Sequence, residues 1–150
     1  MSHTFSSAHV HCVFSTRERV AHITPELESQ LWSYIGGIAR NHGFTSHAVG
    51  GVEDHMHVLL TIPPRISVAE AVQAIKGVSS KWIHETRPDQ KDFAWQQGYG
   101  AFSIGISQMD DTIRYINNQR EHHKKRDFQE EFLAFLKKHG IEYDPKYVWG

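Results

Sequence analysis

Phe44-Thr45-Ser46-His47-Ala48-Val49-Gly50-Gly51-Val52-Glu53-Asp54-His55-Met56-His57-Val58-Leu59-Leu60-Thr61-Ile62 holds two apolar, β-branched runs, 44–49 and 55–62, with Gly50-Gly51-Val52-Glu53-Asp54 between them. Such runs separated by turn-forming residues predict a hairpin, and Pro63-Pro64 ends its second strand. Side chains two apart on a strand share a face, so Met56, Val58 and Leu60 point to one side while His55 and His57 point to the other. The first set suits a core. The second offers two imidazoles side by side.

Upstream, Thr24-Pro25-Glu26 opens a helix over 25–42, with Leu27, Leu31, Tyr34, Ile35 and Ile38 as its apolar stripe and Gly43 as its stop. Before it, residues 8–14 alternate as a strand, with Val10, Cys12 and Phe14 facing one way and His9, His11 and Val13 the other. Downstream, Ser67-Val68-Ala69-Glu70 fits a capping box and starts a helix over 68–86. Phe102, Ile104 and Ile106 recur at every second position within residues 99–106, the pattern of a fourth strand. The order strand, helix, strand, strand, helix, strand predicts an α+β, ferredoxin-like β-α-β-β-α-β antiparallel sheet. Two additional C-terminal helices follow, one from Ser107 to about His122 and one from Asp127 to before Gly140. That fold hosts many activities, so function has to be argued from the site.

With 150 residues, 39% hydrophobic and 22% charged, the chain has the composition of a single soluble domain, 1–150. No apolar run approaches the ~18 residues that span a bilayer, and Met1-Ser2-His3-Thr4-Phe5 lacks the regions of a secretory signal, so a cytoplasmic protein is expected. The one cysteine, Cys12, excludes an internal disulfide and any multi-cysteine zinc site. A metal would need nitrogen and oxygen ligands, and the chain has 12 histidines. A net charge of -1 argues against a broad electrostatic grip on duplex DNA.

The His55-Met56-His57 pair can present both rings to one ion, and Glu53-Asp54 beside it could orient an imidazole. His9-Val10-His11 shows the same alternation without an acidic neighbour, so alternation alone does not identify a metal site. Tyr115 and Gln119, four apart on a predicted helix, share a face. A phenol beside a divalent cation can attack phosphorus, and an amide oxygen is a hard ligand for Mg²⁺ or Mn²⁺. His122-His123-Lys124-Lys125-Arg126 could add ligands or phosphate contacts, but a short basic run commonly marks a solvated helix end and is left out of the expected site. Trp82, Trp95 and Tyr99 are expected to pack more than to stack on bases.

His55-Met56-His57 resembles the His-hydrophobic-His motif of the HUH endonucleases, and Tyr115-Ile116-Asn117-Asn118-Gln119 resembles the tyrosine helix of their single-tyrosine branch, the small TnpA-type insertion-sequence transposases. His11–Thr16 with Arg17 and Arg19, Lys76–Lys81, and Trp95–Ser103 resemble further segments of that family in the same order. The resemblance implies a metal-dependent, single-stranded DNA transposase. Tyr115 would be its catalytic nucleophile, forming a 5′-phosphotyrosine. His55, His57 and Gln119 would hold Mg²⁺ or Mn²⁺, and Arg17, Arg19, Lys76 and Lys81 would contact DNA. It also implies hairpin-bearing DNA partners and a homodimer in which the His pair of one chain faces the tyrosine helix of the other. Alternatives are a non-cleaving nucleic-acid-binding regulator and a phosphohydrolase that releases both products.

Overall fold

The computed structural model describes residues 3–149; Met1, Ser2 and Gly150, which entered the reading of the two chain ends, lie outside them. Four strands, β1 (His9–Ser15), β2 (Thr45–Val52), β3 (His55–Thr61) and β4 (Gly100–Ile104), form one sheet in the order β2-β3-β1-β4. Every neighbouring pair is antiparallel. Two helices, α1 (Pro25–His42) and α2 (Val68–Thr86), complete the β-α-β-β-α-β unit expected from the pattern.

Local chemistry sets the helix ends. The Thr24 hydroxyl accepts from the Leu27 amide at 3.2 Å, and Gly43 closes α1 in the left-handed region at φ 82°. Ser67 and Glu70 form a reciprocal box, with Ser67 accepting from the Glu70 amide at 3.0 Å and Glu70 from the Ser67 amide at 3.3 Å. The apolar stripes of both helices bury against Val10, Cys12, Phe14, Met56, Val58 and Leu60, the strand faces assigned from alternation. Trp95 joins this core and donates to the Ser79 hydroxyl, while Trp82 stacks on Tyr34.

The other sheet face carries the C-terminal helices, and here expectation and structure part. A single helix from Ser107 to His122 is not formed. A 3₁₀ turn at Ile106–Gln108 leads into α3 (Met109–Asn117), and Asn118, at φ -110° and ψ 29°, breaks it from the short α4 (Gln119–His122). Ile106 lies outside β4 and is exposed. The last helix, α5 (Phe128–Lys138), is capped by Asp127, which accepts from the Glu130 amide at 2.9 Å.

The β2–β3 hairpin also differs. Gly50 and Gly51 are strand residues, and the turn is Glu53-Asp54 alone. A Cβ on Gly50 would lie 2.4 Å from the Ile116 carbonyl oxygen. The glycine therefore lets the backbone of α3 seat directly on β2. Met109 and Ile116 of α3 close a small cluster with Ala48 and Leu59. Phe128, Phe132 and Leu136 of α5 close another with Val13 and Phe102. Both sheet faces are thus covered, which explains why nearly all of β3 is buried. Among the described residues no helix is long and apolar enough to cross a membrane.

Candidate active site

His55 and His57 leave β3 on the face that α3 and α5 cover, and neither ring is exposed to solvent. Each ring is held from behind. His55 Nδ1 lies 2.8 Å from Asp54 Oδ1, and His57 Nδ1 lies 2.8 Å from His11 Nε2. The Nε2 atoms of both therefore face the same space, the arrangement in which an outer partner orients an imidazole ligand. His11 enters through register: Val13 pairs with His57, so His11 is a diagonal neighbour on the same face. Alternation alone had not separated it from His9, which instead meets the Thr61 hydroxyl at 2.8 Å together with His47.

The helices bring the remaining groups. Gln119, buried at the start of α4, places Oε1 3.3 Å from His55 Nε2 and donates through Nε2 to the Tyr115 carbonyl at 3.1 Å. Tyr115 lies with its ring centroid 5.7 Å from that of His57 and stacks on His122 at 4.3 Å. A single chain thus gathers Tyr115, His55, His57 and Gln119 in one pocket. Arg120 steadies this end of the helix pair by bridging to Glu53 at 2.7 Å and Glu28 at 2.6 Å.

Two further residues line the pocket. Glu131 of α5 is fully buried, with Oε1 3.0 Å from His57 Nε2 and 3.2 Å from His123 Nε2. Its Oε2 accepts the Tyr115 hydroxyl hydrogen bond. His123, set aside with the basic run, also approaches Gln119 Oε1 at 3.1 Å. The ligand atoms of His55, His57, His123 and Glu131 all lie within 4.8 Å of one another. Glu131 carried one signal in sequence: it sits among Phe128, Phe132, Phe135 and Leu136, a carboxylate in the middle of an apolar helical stripe.

Burial pushes the His57 imidazole down to about 4, against the pull of Glu131. Burial and then the neighbouring His57 lower His11. His123 is raised: burial would lower it, but the hydrogen bond and charge of Glu131 prevail. Glu131 is lowered, because hydrogen bonds from His123 and His57 overcome the penalty of burial. The Tyr115 phenol is raised by burial, then by the charge and hydrogen bond of Glu131, with Arg126 opposing. At neutral pH the pocket therefore holds a carboxylate and a protonated phenol, and a cation placed among these donors would reinforce the carboxylate and oppose the upward shift of the phenol. The donor set, imidazole nitrogens and oxygens with no thiolate, fits a divalent ion.

Beside Tyr115 opens a cleft of about 360 Å³ lined by His11, Gln108, Asp111, Arg126, Glu131 and Lys138, in which the cations Arg126 and Lys138 could meet a phosphate backbone while Asp111 and Glu131 supply negative charge. The residues expected to touch DNA lie elsewhere. Arg17 and Lys81 are exposed, and Lys81 lies 3.9 Å from Glu85. Arg19 sits over the Trp149 ring at 5.5 Å. Lys76 is committed within the chain: its ammonium donates to the carbonyls of Gln96 at 2.7 Å and Gly98 at 2.6 Å, and burial lowers it to about 8.

Comparison with known proteins finds relatives among transposases. The chain is 27% identical over 132 residues to the transposase for insertion sequence element IS200 of Salmonella typhimurium, covering 83% of this chain and 84% of that protein. It is 22% identical over 116 residues to the ISDra2 transposase TnpA of Deinococcus radiodurans, covering 74% of this chain and 83% of that one. The fold is shared with a crystal structure of a candidate transposase from Deinococcus radiodurans R1, at TM-score 0.66 and 22% identity over 79% of this chain and 95% of that one. It is also shared with a REP-associated tyrosine transposase bound to a REP hairpin, at TM-score 0.60 and 16% identity over 82% of this chain and 72% of that one. The family described as "Transposase IS200 like" matches residues 4–119, from ahead of β1 through the tyrosine helix to Gln119, and the chain belongs to that family of DNA-processing enzymes.

Proposed function

We propose that residues 1–150 act as one metal-dependent transposase domain that cuts and rejoins single-stranded DNA through Tyr115. The observation that carries this reading is the meeting of Tyr115 with the buried His55/His57 pair and Gln119 in one cluster beside a cleft that carries Arg126 and Lys138. The phenol oxygen attacks a backbone phosphorus, the bond from phosphorus to the 3′ oxygen breaks, and the phenol proton passes to the Glu131 carboxylate that already accepts its hydrogen bond. That proton is passed on to the freed 3′ oxygen, so Glu131 returns to the carboxylate and no net proton is gained or lost. The 5′ end stays on the protein as a phosphotyrosine, so the bond energy is kept and rejoining is the same step reversed.

His55, His57 and Gln119 are the residues the resemblance names for holding Mg²⁺ or Mn²⁺, and a bound ion would offset charge on the non-bridging oxygens and favour the phenolate. Asp54 and His11 fix the two rings. Arg126 and Lys138 receive the strand, with Arg17, Arg19 and Lys81 as outer contacts. The hairpin in the related tyrosine transposase supports hairpin-bearing DNA as the partner. In a homodimer, two chains with one complete site each would serve the two ends of an element.

The test incubates the protein with single-stranded oligonucleotides carrying hairpins, in Mg²⁺ or Mn²⁺. The expected product is a denaturation-resistant adduct holding the DNA fragment 3′ to the cut, lost on chelation. Cleavage that releases both fragments free would favour a phosphohydrolase. Binding without adduct for every hairpin would favour a regulator.

A further inference from the structure

The family match ends at Gln119, yet the pocket is closed by residues beyond it. The apolar face of α5 docks on Val13 and Phe102, and this carries Glu131 into contact with both histidines of β3. Three imidazole nitrogens surround its Oε1: His57 Nε2 at 3.0 Å, His123 Nε2 at 3.2 Å and His55 Nε2 at 3.5 Å. His57 and His123 are within hydrogen-bond distance of that oxygen and can fill its two in-plane lone pairs, whereas His55, whose Nδ1 faces the Asp54 carboxylate, presents Nε2 to the oxygens of Gln119 and Glu131 as an acceptor facing acceptors, which protons alone leave unresolved. Convergence of fixed imidazoles and a buried carboxylate is instead what a cation demands, and the rings of His55 and His57 are already turned inward by Asp54 and His11.

We propose that Glu131 and His123 complete, with His55 and His57, a four-ligand site of three imidazoles and one carboxylate, selective for a transition-metal dication such as Mn²⁺ over Mg²⁺. Imidazole-rich sites suit first-row transition ions, whereas Mg²⁺ prefers oxygen ligands and keeps several waters. Gln119 Oε1, 3.1 Å from His123 Nε2 and 3.3 Å from His55 Nε2, is an additional oxygen at the rim of this set. The other oxygen of Glu131 accepts from Tyr115, so one carboxylate of the C-terminal helix ties the ion to the nucleophile. Docking of α5 is then part of assembling the catalytic centre. This inference rests on the reading that the His pair holds an ion.

The experiment is calorimetric titration of the metal-free 150-residue chain with MnCl₂ and separately MgCl₂, with Mn²⁺ paramagnetic resonance as a second readout. The variants are Glu131→Gln, Glu131→Asp, His123→Gln and the double variant His55→Ala/His57→Ala, each checked for its fold by circular dichroism. Wild type is expected to bind one Mn²⁺ at least ~10-fold more tightly than Mg²⁺. Glu131→Gln and His123→Gln are each expected to weaken Mn²⁺ by roughly 10- to 100-fold, and the double variant to abolish binding. Should Glu131→Gln not fold, Glu131→Asp, which keeps the charge but shortens its reach, carries the comparison together with His123→Gln. Unchanged Mn²⁺ affinity in the folded Glu131 and His123 variants, with loss in the double variant, overturns this inference and leaves the His-pair reading standing. Equal affinity of the wild type for the two ions overturns the selectivity. No binding by the wild type overturns both readings.

Discussion

Replacing Tyr115 with phenylalanine is expected to leave a folded protein that still binds Mn²⁺ and single-stranded DNA but forms no covalent adduct, a loss of at least ~10³-fold in adduct yield. The ring keeps its stack on His122 and its edge contacts with His57 and Phe135, so helix α3 retains its packing. What disappears is the hydroxyl proposed to attack phosphorus, together with its hydrogen bond to Glu131. Glu131 retains His57 and His123 as partners, which limits the stability cost of the missing hydroxyl to about 1 kcal/mol. Denaturing electrophoresis of a labelled oligonucleotide gives the yield, and thermal melting gives the fold. An adduct of wild-type yield in Tyr115→Phe would remove Tyr115 as the nucleophile.

The second large effect comes from a residue with no chemistry of its own. Gly50→Ala would put a Cβ 2.4 Å from the Ile116 carbonyl oxygen and 3.1 Å from Ile116 Cγ2. Neither neighbour can swing away, since one is helix backbone and the other belongs to a fully packed residue. The helix must shift by about 1 Å, and a displacement of that size at a reacting group costs on the order of 10²-fold in rate. Ile116 is the next residue after Tyr115, so the shift is delivered to the phenol. Overpacking adds roughly 1–3 kcal/mol of destabilisation. The matched control is Gly77→Ala on α2, where an added Cβ meets no atom within 4 Å and better helix propensity should add about 0.5–1 kcal/mol with adduct formation unchanged. Rates and urea midpoints for both variants decide this; full activity in Gly50→Ala would mean that α3 does not need its seat on β2.

Much of the fold is legible because its signals are local. Thr24-Pro25, Gly43 and the Ser67–Glu70 box mark helix ends that the structure reproduces, and alternation alone sorts Met56, Val58 and Leu60 into the core. The failures share a cause, which is dependence on distant partners. Gly50-Gly51 has the chemistry of a turn, and only the approach of α3 explains its place in a strand. The break at Asn118 interrupts a periodic pattern that reads as one helix, yet it is what turns Gln119 toward His55. His11 looked like its neighbour His9 until the register put it behind His57. Lys76 reads as a surface cation, but the loop at 96–98 folds back over it and its carbonyls accept the ammonium hydrogen bonds. Of the pocket, the His pair and the Tyr115/Gln119 face were readable from spacing and resemblance. Glu131 shows in sequence only as a carboxylate within an apolar stripe and His123 only as part of a basic run, because they reach the pocket from a segment whose place against the sheet no local pattern sets.

Whether the catalytic centre is built within one chain is tested most directly by mixing Tyr115→Phe protein with His55→Ala/His57→Ala protein and measuring adduct on a hairpin oligonucleotide. Each variant lacks one half of the pocket and keeps the other. With both halves drawn from the same polypeptide, the mixture should give no more adduct than either variant alone. Recovery of a substantial fraction of wild-type adduct would show the tyrosine helix of one chain serving the histidines of another, and would contradict the pocket described here.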